Sequence, residues 1–70
     1  MADLVALFAE ASEHHSAGRL AEAETAYRLV LASDPKHAAA LQGLGIVALA
    51  SGHLAPALAL IERAASISPD

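Results

Sequence analysis

Gly18-Arg19-Leu20-Ala21-Glu22-Ala23 and Gly52-His53-Leu54-Ala55-Pro56-Ala57 carry a Gly, a Leu and an Ala at the same spacing, the second stretch 34 residues after the first. Pro35 and Pro69 stand at the same separation. Repetition at a fixed period of a few tens of residues marks a chain built from stacked supersecondary units. Within each unit an apolar helical stretch runs to a Gly, a second starts just beyond it, and a Pro closes the unit. Gly accepts the left-handed conformation that a helix C-terminus needs, and Pro disfavours helical geometry in the residue before it. The chain therefore reads as one all-α domain, residues 1–70, made of two helical hairpins at about 4–36 and about 38–70.

The same punctuation places the helices. The first is expected from about Leu4 to Ala17, with Asp3 as its N-cap acceptor and Gly18 as its stop. Leu4, Leu7, Phe8 and Ala11 then share a face. The second runs from about Leu20 to Ala32, where Glu24 and Arg28 are spaced for a surface ion pair. The third spans about His37 to Ala50. The fourth spans about Leu54 to Ile67, and Pro56 is tolerated in its first turn, where N–H groups have no intrahelical partner to lose. Small residues at Ala11, Ala23, Gly45 and Ala57 mark where one helix backbone nears the next, flanked by Leu7, Tyr27, Leu41, Leu44 and Ile61. Tyr27 is expected in the core, with its hydroxyl reaching the surface or a partner.

Composition narrows the function. A domain of 70 residues has a core worth about 3 to 5 kcal/mol of net stability, and only 3% of residues are Phe, Trp or Tyr. No cysteine is present, which removes disulfides, thiolate catalysis and Cys-based zinc sites. The net charge of −4, with Arg19, Arg28, Lys36 and Arg63 scattered, excludes nucleic acid and anionic membrane as main partners, since both need a basic patch. Residues 38–61 contain no Asp, Glu, Lys or Arg, but Ser51-Gly52-His53 interrupts them where the repeat needs a turn, so no membrane span is expected. The N-terminal residues lack a basic segment and carry Asp3, unlike a secretory signal. A cytoplasmic location is expected.

No side chains assemble a reaction. His14 and His15 are adjacent, pointing roughly 100° apart on a helix, a poor arrangement for a shared metal. His37 and His53 fall in connections without Cys or carboxylate spacing to support a metal. Glu10 with Glu13, and Glu22 with Glu24, read as solvated helix faces. Gly43-Leu44-Gly45 lies within a helix and lacks the Lys and Ser/Thr of a phosphate-binding loop. No nucleophile has both a base and an orienting partner. The expectation is a non-enzyme with no cofactor and no metal.

The residues of both units resemble the tetratricopeptide repeat family. The second unit supplies Leu41, Leu44, Gly45, Gly52, Ala57, Ile61, Ala64 and Pro69 at the family's pattern positions. The first supplies Leu7, Ala11, Gly18, Ala23, Tyr27, Val30, Asp34 and Pro35, and the departures are Glu10 for Leu, Ala11 for the small Gly, His14 for a bulky aromatic and, in the second unit, Ile61 for an aromatic. The resemblance implies two helix-turn-helix hairpins of a right-handed α-solenoid and a scaffolding role in protein–protein contact. It places His14 toward the hairpin core. It also implies a concave groove lined by Val5, Phe8, Ser12, His15 and Ser16 from the first unit, then Ala39, Gln42, Ile46, Leu49 and Ala50 from the second. The Lys and Asn clamp that some members use for acidic C-terminal tails is missing, because Phe8, Ser12, Gln42 and Ile46 occupy its positions. The partner expected there is a protein or peptide with an apolar contact surface.

Charge is concentrated in the first two helices, whereas the last two carry none until Glu62 and Arg63. A helix apolar nearly all round needs cover, and repeat arrays end in polar capping helices. The fourth helix is no such cap, so Leu54, Leu58, Ile61, Ala65 and Ile67 form an expected self-association edge. A homo-oligomer is expected, a dimer or a hairpin-exchanged dimer. The chain is further expected to be the N-terminal part of a longer repeat protein. The alternative reading is an accessory repeat region of a bacterial O-linked GlcNAc transferase-like glycosyltransferase, its catalytic domain lying outside these residues.

Overall fold

A computed structural model describes residues 3–68 and contains four helices, α1 (Leu4–Ser16), α2 (Leu20–Ser33), α3 (Ala38–Ala50) and α4 (Leu54–Ile67). No strand occurs among the described residues. Pro69, which closes the second unit in the sequence, lies outside them, as does Asp70.

Each boundary has a local cause. Asp3 caps α1, its Oδ1 accepting the Val5 N–H at 3.0 Å. α1 and α3 end in the same way. Gly18 and Gly52 take φ values of 78° and 84°. The Gly18 N–H donates to the His15 carbonyl and the Arg19 N–H to that of His14. One period later, the Gly52 N–H donates to Leu49 and the His53 N–H to Ala48. These are paired bonds of one motif, which satisfies carbonyls a helix end would otherwise leave open. α2 stops at Asp34-Pro35, where Asp34 Oδ1 accepts the Lys36 N–H at 3.3 Å and turns the chain into α3. The expected limits shift slightly at three ends. Ala17 is the C-cap of α1 rather than its last residue, α2 continues through Ser33, and His37 precedes α3 as its cap, Nδ1 accepting the Ala40 N–H at 3.1 Å.

α1 packs on α2 and α3 on α4, and α2 joins the two hairpins by packing against α3, while α1 only grazes α3. Ala11, Ala23, Ala26, Tyr27, Val30, Ala40, Leu44 and Val47 form one buried cluster across this joint. Ala11, Ala23, Gly45 and Ala57, the expected sites of close approach, are all buried. At Gly45 a Cβ would stand 2.8 Å from Ile61 Cγ1 and 3.2 Å from the Ala57 carbonyl oxygen. α3 and α4 thus touch nearly backbone to backbone. Among the described residues no charged side chain is buried and the Tyr27 hydroxyl is the polar group in the core cluster, so the hairpins are held together mainly by apolar burial.

Candidate functional site

The joint between the hairpins is organised by Tyr27. Only 3% of this residue is exposed, and its ring covers Gly43, where a Cβ would lie 2.5 Å from Tyr27 Cζ. The Tyr27 hydroxyl shares a hydrogen bond with His15 Nδ1 at 3.2 Å, and the two rings meet edge to face. Phe8 tilts against Tyr27 with centroids 5.9 Å apart and stacks on His37 at 5.1 Å. Four rings from α1, α2 and the α2–α3 turn therefore converge. Phe8 and His15, expected in an open groove, are half-buried and engaged in this joint. Its His37 member escaped the sequence reading, since stacking across 29 residues of chain leaves no local signal.

The remaining groove positions divide into two surfaces. On α1, Val5 is 79% exposed, Ser12 is half-buried and Ser16 exposed. On α3, Gln42, Ile46 and Leu49 form one exposed stripe at helical spacing, with Ala39 and Ala50 at its ends. The Phe8–His37 stack sits between α1 and α3 at the joint. These positions include no Asp, Glu, Lys or Arg, so the face is mostly apolar and built from small side chains.

α4 supplies a second apolar surface. Leu54 and Leu58 are 58% and 51% exposed, Ala65 is exposed and Ile61 half-buried. At about 100° per residue these four share one stripe beside the helix face that meets α3. Ile67 is exposed too, but it falls roughly 150° around the axis from that stripe, so the structure separates it from the other four. Ile61 and Ala65 also border a cleft of about 270 Å³ between α3 and α4, together with Ala38, Gln42, Ala64 and Ser68.

The opposite edge of the molecule differs in chemistry. A shallow cleft there is lined by Leu7 and Leu29 but also by Glu10, Glu22, His14 and Thr25. His14 is half-buried on this open edge rather than enclosed in the hairpin, and its Nδ1 accepts from Arg19 Nε at 2.8 Å. Glu24 and Arg28 form the expected surface pair at 3.5 Å. Among the described residues no three His, Asp or Glu side chains gather as a metal site would need, and no helix is long and apolar enough to cross a membrane.

A family model described as tetratricopeptide repeat matches residues 14–70. No curated protein and no solved structure gives a significant match. The match begins inside α1, just past Glu10 and Ala11, where the first unit departs most from the pattern. With two hairpins in one register, matching glycine turns one period apart and a family match over residues 14–70, the chain belongs to the tetratricopeptide repeat family.

Proposed function

We propose that this protein-interaction module is non-catalytic and self-associates through the apolar edge of its second hairpin, leaving the α1/α3 face for an extended apolar peptide. The supporting observation is a comparison of the two units with each other. Tyr27 on α2 is buried because α3 lies over it, whereas Ile61, one period later on α4, remains partly open in the described residues. Leu54 and Leu58 extend that opening along the helix. Isolated exposed apolar residues are ordinary, but a continuous row on one helix face is the mark of an interaction surface. The compartment proposed for this activity is the cytoplasm.

Solution mass across a concentration series tests the reading. Sedimentation equilibrium is expected to show a species above monomer mass that Leu58→Glu dissociates and that Ile46→Asp, on the α1/α3 face, leaves unchanged. A folded monomer at every concentration contradicts self-association.

A further inference from the structure

The repeat also tells what can cover the α4 edge. Inside the chain, the second hairpin seats on the first through Ala40, Gly43, Leu44 and Val47, all buried. One period earlier, the same face of α1 carries Ala6, Ala9, Glu10 and Glu13, all exposed. Leu44 and Val47 are thus replaced by two carboxylates. A second copy stacked head to tail would bring Glu10 and Glu13 against the α4 edge, where Leu54, Leu58, Ile61 and Ala65 offer a carboxylate no partner. Burying a carboxylate without a partner costs several kcal/mol. The α4 edge therefore does not take the α1 edge of another copy.

We infer that the α4 edge takes the same edge of a second copy across a two-fold axis, with the two α4 helices antiparallel. This rests on the self-association proposed above and specifies its geometry. Leu54, Leu58, Ile61 and Ala65 follow successive steps of 4, 3 and 4 residues, the spacing of a coiled-coil seam. The set is symmetric about the point between Ala59 and Leu60. An antiparallel pair therefore opposes Leu58 to the partner's Ile61, and Leu54 to the partner's Ala65. The second contact joins a large residue to a small one. It brings the half-exposed Leu54 to the α3–α4 cleft that Ile61, Ala64 and Ala65 line on the partner, a knob entering a hole, twice by symmetry. Glu62 and Arg63 stay outside the seam, so no like charges face each other.

The test uses the chain as it stands, which has no cysteine of its own. Wild type is expected to sediment as a dimer and nothing larger. Leu29→Glu, on the opposite edge, keeps the dimer. Leu58→Glu weakens it by at least about 100-fold, and mixing that variant with wild type yields no mixed dimer. Under mild oxidation, Leu54→Cys and Ala65→Cys chains combine into a mixed disulfide, while neither variant alone cross-links with itself. Species beyond the dimer, or assembly lost in Leu29→Glu, overturn the two-fold arrangement while leaving self-association standing. So does an intact dimer that forms no mixed disulfide, or one that survives Leu58→Glu as a hairpin exchange would allow. A wild-type monomer at every concentration overturns both the geometry and the self-association beneath it.

Discussion

Replacing Gly43 with Ala probes the joint on which the register of the two hairpins depends. The new methyl would stand 2.5 to 2.8 Å from Cζ, Cε1 and the hydroxyl oxygen of Tyr27, well inside an ordinary contact. Tyr27 has little freedom to retreat, because Phe8 packs against its ring and His15 holds its hydroxyl. Overpacking of this kind costs about 1 to 3 kcal/mol. The substitution also gains roughly 0.8 to 1 kcal/mol, since Ala is the better helix former. The expected balance is a net loss near 1 kcal/mol, which lowers Tm by about 4 to 8 °C in a domain of this size. Thermal and urea unfolding followed by helical circular dichroism, at one fixed protein concentration, reads it. The same change in a Tyr27→Leu background has room for the methyl and should stabilise by about 1 kcal/mol, giving a coupling of roughly 1 to 3 kcal/mol between the two positions. If Gly43→Ala raises stability equally in both backgrounds, the ring does not cover Gly43 and the joint is packed some other way.

Two further substitutions test the hairpins. Ala57 is fully buried and its carbonyl faces Gly45 at close range, so Ala57→Leu should force α4 from α3 and cost about 1 to 3 kcal/mol in urea unfolding; an unchanged midpoint contradicts that close approach. Gly52 has φ +84° with open space around it, so Gly52→Ala should lose about 1 kcal/mol through backbone strain alone, and Gly52→Asn, which tolerates that conformation, should lose less. Equal losses for Ala and Asn would point to lost packing instead of strain.

The helices were legible because their limits depend on local chemistry that recurs. Gly18 and Gly52 perform the same backbone turn, and Asp3 is a cap that its own side chain defines. His37 was harder to place, since a histidine before an alanine run reads equally as a first helical residue or as the cap it is. The four-ring joint was not legible. Tyr27 announced itself as a core residue, but its position over Gly43 depends on how α2 lies against α3, and nothing in either helix alone encodes that. For the same reason Phe8, assigned by register to the groove, turns out to stack on His37. Helical periodicity says which residues share a face, but not whether a side chain at the border of that face meets solvent or the neighbouring hairpin. The exposure of Leu54, Leu58 and Ala65 agrees with the charge pattern, since α3 and α4 carry no Asp, Glu, Lys or Arg before Glu62. The division of the α4 edge into one stripe, with Ile67 apart, required the helix geometry.

The most direct test of the account is a dilution series of backbone amide NMR spectra, which reports where the chain contacts its own kind. Concentration-dependent shifts are expected along α4 from Leu54 to Ala65, and in the adjoining first turn of α3, with α1 unchanged. Spectra that do not change with concentration, or changes centred on α1 or on Ile46 and Leu49, would contradict the claim that the second hairpin's edge is the contact surface.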